Sequence, residues 1–157
     1  MTLNEITGAI IETAIEIHRR LGPGLLESVY RKILAYELRK KGFEVQEEWP
    51  IPVVWDNIPM ELGFRADLLV NSQVLVELKS VEKVAPVCKK VLLTYLRIAE
   101  IQIGLLINFG EELLKNGIHR VANNYEEESR RGAETAELAS SKSPSASSAP
   151  LRETFLN

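Results

Sequence analysis

The chain has 157 residues, 45% hydrophobic and 26% charged, the length and mix of one soluble globular domain with enough apolar material for its own core. Its one cysteine, Cys88, excludes an intramolecular disulfide and argues against a cysteine-rich zinc site. The net charge of −3 argues against a uniformly basic nucleic-acid binder, although a global charge says little about a local groove. The charge is uneven: residues 1–125 hold 15 Lys+Arg against 16 Asp+Glu, and residues 126–157 hold 4 against 6.

The first twenty residues lack a basic leader, and Glu5, Glu12 and Glu16 interrupt their apolar positions, which is not the pattern of a signal peptide. No apolar run approaches a membrane span, so the cytoplasm is the expected compartment. Ile6, Ala9/Ile10, Thr13/Ala14, Ile17 and Leu21 recur at helical spacing and predict a helix over 4–21, with Asn4 as its N-cap. Gly22-Pro23-Gly24 stops it. A second helix over 25–41 follows, rich in basic residues (Arg31, Lys32, Arg39, Lys40, Lys41) and ended by Gly42. From Phe43 the period becomes strand-like, with strands expected at 43–49, 51–56, 60–70 and 73–80, separated by Pro50, Asp56-Asn57 with Pro59, and Asn71-Ser72. Pro86 opens a third helix over 86–100. The run Ile103–Phe109 reads as a strand buried on both faces, and Ile118–Val121 as a short strand. After Tyr125 the chain is rich in Ser, Ala and Glu and poor in large apolar residues, so 126–157 is expected to be a disordered tail beside a domain of 1–125. The order ααββββαβ predicts an α/β (α+β) fold, a mixed sheet flanked by helices.

The informative segment is Gly63–Lys79, where charges interrupt apolar strands at Asp67, Glu77 and Lys79. Parity decides whether they meet. A three-residue loop, Asn71–Gln73, pairs Val70 with Val74; Asp67 then opposes Glu77, Arg65 opposes Lys79, and all four share a face. A two-residue turn would send Glu77 to the other face. Two opposed carboxylates repel unless a cation lies between them. Oxygen donors, and few of them, point to Mg²⁺ or Mn²⁺, which keep waters and also bind substrate phosphate. Lys79, on the same face, can hold a water or the charge developing on a phosphate. A solvent-facing sheet side, where Glu and Lys at i, i+2 are common, is a competing reading of equal weight.

Asp67 followed by Glu77-Leu78-Lys79 across a hairpin resembles the PD-(D/E)XK nuclease signature, with Ala66 where many members have proline. Gly24-Leu25-Leu26-Glu27-Ser28-Val29-Tyr30 resembles the G-x-x-E-x-x-Y motif of the GxxExxY protein family within that superfamily. Leu21–Gly24, Arg65–Asp67, Val76–Lys79 and Leu106–Gly110 match the family in the same order, over about residues 3–125. The resemblance implies a restriction-endonuclease-like core and a Mg²⁺- or Mn²⁺-dependent nuclease acting on DNA, with RNA as an alternative. It implies Asp67 and Glu77 as metal ligands, Lys79 as the catalytic lysine, and Glu27 as the acid completing the metal shell. Tyr30, Arg65 and Tyr95 are the candidate substrate-binding residues. The family's Q-x-x-x-Y motif is met only in part: Tyr95 stands, but Val91 occupies the glutamine position and Cys88 the place of an expected histidine.

Each residue also has a plainer reading. Glu27 at a helix start can simply favour the helix dipole, and Tyr30 can be a core tyrosine with a satisfied hydroxyl. His18 is expected to be stabilised by the end of its own helix, His119 to lie at the surface, and Cys88 to pack. Lys83, Lys89-Lys90 and the basic run of the second helix either flank a DNA groove or form a solvated face. A catalytically degenerate module that binds nucleic acid or protein is the alternative function. A protein partner or a homodimer is a further alternative, because the chain is too small to carry its own specificity domain.

Overall fold

In the computed structural model, which describes residues 1–60 and 63–124, the first helix, α1 (Leu3–Leu21), is capped by Thr2 rather than by the expected Asn4. Thr2 and Glu5 form a reciprocal capping box: the Glu5 amide donates to Thr2 Oγ1 (3.2 Å) and the Thr2 amide to Glu5 Oε2 (2.6 Å). This satisfies two backbone donors at once, which a lone Asn4 cap would not. The second helix, α2 (Glu27–Lys40), begins two residues later than expected, so Glu27 is its first residue.

The strand region is more finely divided than the sequence predicts. β1 (Val45–Pro50) is followed by a small separate hairpin, β2 (Val53–Trp55) and β3 (Ile58–Met60), turned by Asp56 and Asn57, both at positive φ. The expected strand 60–70 is therefore split between the end of this hairpin and β4 (Arg65–Val70). β5 (Val74–Lys79), α3 (Pro86–Ala99), β6 (Ile103–Asn108), a 3₁₀ turn (Leu114–Gly117) and β7 (Ile118–Ala122) complete the order. The main sheet runs β1-β4-β5-β6-β7, antiparallel except for β5 and β6. That parallel pair is joined across α3, as a parallel connection requires. The mixed sheet flanked by helices is thus as the sequence predicts, and β6 is buried on both faces. The expected tail, 126–157, lies outside the described residues.

Helices α1 and α2 cover one sheet face through Ile6, Ile10, Tyr30, Leu34 and Leu38 against Leu68, Val70, Val76 and Leu105. Helix α3 covers the other through Leu92 and Leu96 against Leu69, Leu75 and Leu106. The alternation breaks at one place. In β1, Val45 packs on the α1–α2 side whereas Trp49, at the same parity, packs on the α3 side. Its partner strand does the same: Leu68 lies with the first cluster and Ala66 with the second. Between these residues stands Glu48 at φ 49, a left-handed conformation that re-aims an extended strand.

The polar end of the sheet is closed by Asn108, which is fully buried. Its Oδ1 accepts from the amides of Val81 (3.0 Å) and Gly110 (3.1 Å), and its Nδ2 donates to the Val81 carbonyl (2.8 Å). Gly110 is required by this closeness, since a Cβ there would lie 2.1 Å from the Val81 carbonyl oxygen. Gly8, in α1, has nothing within 4 Å of such a Cβ. Gly110→Ala is expected to destabilise the full chain by about 2–4 kcal/mol in urea unfolding. Gly8→Ala is expected to stabilise it by roughly 0.5–1 kcal/mol. Equal effects would show that the loop after β5 yields freely.

Candidate active site

Asn71, Ser72 and Gln73 form the three-residue loop between β4 and β5, with Asn71 and Ser72 both at positive φ, and Val70 pairs with Val74. The parity on which a shared site depends is therefore present. The paired register runs Val70↔Val74, Leu69↔Leu75 and Leu68↔Val76. Past this point Asp67 joins the strands with its side chain: Oδ2 accepts from the Leu78 amide at 2.8 Å. Arg65 continues β4 but pairs with Pro50 of β1 and is exposed. It makes no ion pair among the described residues, and the expected Arg65–Lys79 pairing is not formed; Lys79 pairs with Asn108 of β6 instead. The β4–β5 ladder ends at Leu68↔Val76, so strict alternation carries the register further than the backbone bonds do.

Glu77 and Lys79 share the α3 side with Leu75. Glu77 is largely buried, and its Oε1 is buried without a hydrogen-bond partner. Burial, then the neighbouring Asp67 charge, push its carboxyl up to about 8, with Lys79 pulling the other way. Tyr95, on α3, is pushed up by its own burial and then by Glu77, which places it beside the same carboxylates. Phe64 lies against Tyr95 with ring centroids 6.1 Å apart.

Helix α2 brings Glu27 to this end of the sheet. Ser80 Oγ donates to the Leu25 carbonyl at 2.6 Å, tying the start of the helix to the exit of β5. Burial raises the Glu27 carboxyl, Lys79 opposes this, and Asp67 adds to it. Tyr30 takes the core role. Fully buried, it stacks on Phe109 at 4.2 Å; its hydroxyl donates to the Gly22 carbonyl (2.5 Å) and accepts from the Leu25 amide (3.2 Å). It thereby pins the Gly22–Gly24 loop that launches Glu27, and its hydroxyl has no lone function left for a substrate. Gly24, at φ 107, adopts a conformation that favours glycine.

Arg31, one turn after Glu27, escaped the sequence reading as a site residue. Its Nη1 lies 3.4 Å from Asp67 Oδ1 and its Nη2 3.7 Å from Glu48 Oε1. The i, i+4 spacing from Glu27 was the available signal. The rest of the basic run at α2 is paired with acidic side chains. Lys32 and Arg39 both pair with Glu47 (2.8 and 2.9 Å), Lys40 with Glu37, and Lys41 with Glu16. Lys83 and Lys89 instead line a cavity of about 350 Å³ with Asn116, Glu111 and His119. His119 lines it and is partly exposed; burial and then Lys89 lower its pKa. His18 is buried, its Nε2 2.8 Å from the Glu111 carbonyl, so its partner is a distant loop and not its own helix end. Cys88 packs against the α3-side core.

Among the described residues, no three His, Cys, Asp or Glu side chains converge closely enough, as placed, to hold a metal ion. The donor chemistry nevertheless fits a hard divalent cation: two neighbouring carboxylates, one with a buried and unpartnered oxygen, and a third carboxylate raised by burial and then by the Asp67 charge. No helix among the described residues is long and apolar enough to cross a membrane.

Glu77 also sets a pH dependence. Its folded pKa is raised above the unfolded value, so the folded state holds a proton that the unfolded chain releases between about pH 4.5 and 8. The stability contributed by this group is full at low pH and is lost as pH rises through about 8. Metal-free Glu77→Gln is therefore expected to be more stable than wild type by roughly 2–4 kcal/mol at pH 8.5, the gain fading below pH 5. A pH-independent difference in urea midpoint would show that Glu77 ionises normally.

The family model of the PD-(D/E)XK nuclease superfamily matches residues 4–121. Comparison with curated proteins and with solved structures gave no significant match. The match spans both helices that flank the site, the hairpin that carries Asp67, Glu77 and Lys79, and the strand that ends in Asn108, and so this chain belongs to the PD-(D/E)XK nuclease superfamily.

Proposed function

We propose that the domain is a divalent-metal-dependent phosphodiesterase of the GxxExxY family that hydrolyses DNA. The observation that carries this reading is Glu77. A buried carboxylate with an unpartnered oxygen beside a second carboxylate stays protonated in an apolar sheet, and ionises at neutral pH only where a cation joins the two. Asp67, Glu77 and Glu27 would hold Mg²⁺ or Mn²⁺. The bound ion supplies Lewis-acid charge and a water of lowered pKa.

This chain's own groups do the remaining work. Lys79, two residues after Glu77 on the same side, holds the attacking water or neutralises the charge developing on a non-bridging phosphate oxygen. Water attacks phosphorus in line, and the bond to the leaving ester oxygen breaks. Asp67, fixed by the Leu78 amide, keeps one oxygen oriented by the backbone while the other faces the site. The cavity that Lys83 and Lys89 line, with Glu111 and a His119 ring whose charging is disfavoured, takes a flanking phosphate of the strand through the two lysines. Phe64 and Tyr95 offer aromatic surface next to the carboxylates, where an unpaired base can stack.

A second reading is a non-catalytic module that keeps the fold and binds nucleic acid or protein. The exposed Val91 in place of a polar residue on α3, and the guanidinium already on Asp67, favour it.

Asp67→Asn keeps an acceptor for the Leu78 amide, so it should fold. It and Lys79→Ala are each expected to lower Mn²⁺-dependent cleavage of DNA by about a thousandfold with little change in melting temperature. Undiminished cleavage in Asp67→Asn would sink the mechanism; DNA binding without cleavage at any metal concentration would establish the second reading. Metal binding at pH 6.5 should also release about one proton, because Glu77 must ionise to ligate. Calorimetry in buffers of different ionisation enthalpy reads this directly, and no proton release would remove Glu77 from the ligand set.

A further inference from the structure

The Arg31 guanidinium stands among carboxylates from three elements: Glu27 on its own helix, Glu48 on β1 and Asp67 on β4. Its side chain is 16% exposed and that of Asp67 13%. Both contacts, at 3.4 and 3.7 Å, are long for charge-assisted hydrogen bonds, which run at about 2.7–2.9 Å. Its Nε is buried with no partner. An arginine built in for structure commonly forks onto one carboxylate with two parallel bonds. Here the fork is divided between two carboxylates and grips neither.

One Asp67 oxygen is free of the backbone. Oδ2 accepts from the Leu78 amide, and Oδ1 is the one facing Arg31. A divalent cation at Oδ1 would meet the guanidinium there, and like charges at that separation repel strongly in a partly buried site. Glu48 provides somewhere to go. It lies between the residues paired with Ala66 and Leu68, beside Asp67, and its φ of 49 marks the point where β1 changes faces. Its side chain is 53% exposed and open to a closer approach.

We infer that Arg31 is a stand-in cation, which neutralises Asp67 in the metal-free protein and moves onto Glu48 when a divalent cation takes Asp67. Its charge thereby limits how tightly the site holds metal. The inference rests on the metal-dependent reading above. Arg31 acts through Asp67 and is a positioning residue.

The test is Mn²⁺ titration calorimetry together with thermal melts of the metal-free full chain. Arg31→Gln is expected to melt several degrees lower without metal, yet to bind Mn²⁺ roughly tenfold more tightly. Arg31→Lys, which restores the charge, is expected to return both values toward wild type. Weaker or unchanged Mn²⁺ affinity in Arg31→Gln would overturn the inference and leave Arg31 a structural residue. Glu48→Gln covers the case in which Arg31→Gln does not fold. It removes the alternative partner and should weaken Mn²⁺ binding several-fold, an effect that vanishes in the double variant wherever that variant folds. Unchanged affinity in Glu48→Gln overturns the inference equally. If neither wild type nor any variant binds Mn²⁺, the metal-dependent reading itself fails and this inference falls with it. Binding by wild type with no response to Arg31 or Glu48 rejects the inference alone.

Discussion

Asp67 and Glu77 sit on adjacent strands where an apolar sheet has begun to close around them, and negative charge is costly there unless something answers it. Much of the surrounding structure is an answer. The Leu78 amide takes one Asp67 oxygen, Arg31 reaches across from α2 to the other, and Lys79 opposes the rise in the Glu77 carboxyl. The strands separate beyond Leu68 and Val76, leaving room between them for side chains rather than backbone bonds. The start of α2 is tied to the exit of β5 through Ser80, which brings Glu27 into the same field.

The segment Gly24–Tyr30, which resembles G-x-x-E-x-x-Y, can be read as mechanics. Gly24 supplies a left-handed turn, Glu27 is delivered at the first helical position, and Tyr30 reaches back to fasten the loop from which both start. Tyr30 and Glu27 therefore do different work although both belong to one short pattern: the tyrosine sets the geometry and the glutamate projects from it. A match to a motif locates such residues without separating the two roles. The superfamily match over residues 4–121 places this helix inside the shared core.

Much of this is legible in the amino-acid sequence. Strand periodicity is two, so the three-residue loop Asn71–Gln73 decided which face Glu77 would take, and helical spacing located α1, α2 and α3 within a residue or two. What escaped has physical causes. Thr2 displaces Asn4 as a cap because Glu5 returns a second hydrogen bond, a reciprocal effect not visible in one residue's preference. The left-handed Glu48 breaks the alternation in β1 without a glycine or proline to announce it. The basic run on α2 resembles a nucleic-acid surface in sequence, yet its partners Glu47, Glu37 and Glu16 neutralise it within the fold. Arg31 was hidden in that run, because partner choice is a tertiary fact.

Asn108 has a consequence for how this domain can vary over time. Its amide donates to the carbonyl and accepts from the N–H of Val81, 27 residues earlier, and accepts a third bond from Gly110, two residues later. An aspartate of the same shape lacks the donor for the Val81 carbonyl, and a leucine of similar bulk lacks both functions. The position therefore reads chemical identity rather than size. The segment it clasps leads directly from Lys79 to Lys83 and on to Pro86, where α3 begins. A single replacement at the end of β6 would thus be felt at a helix launched upstream of it. Position 81 needs only its backbone N–H and carbonyl for this clasp, whereas Asn108 is held to its side-chain chemistry and Gly110 to its lack of one.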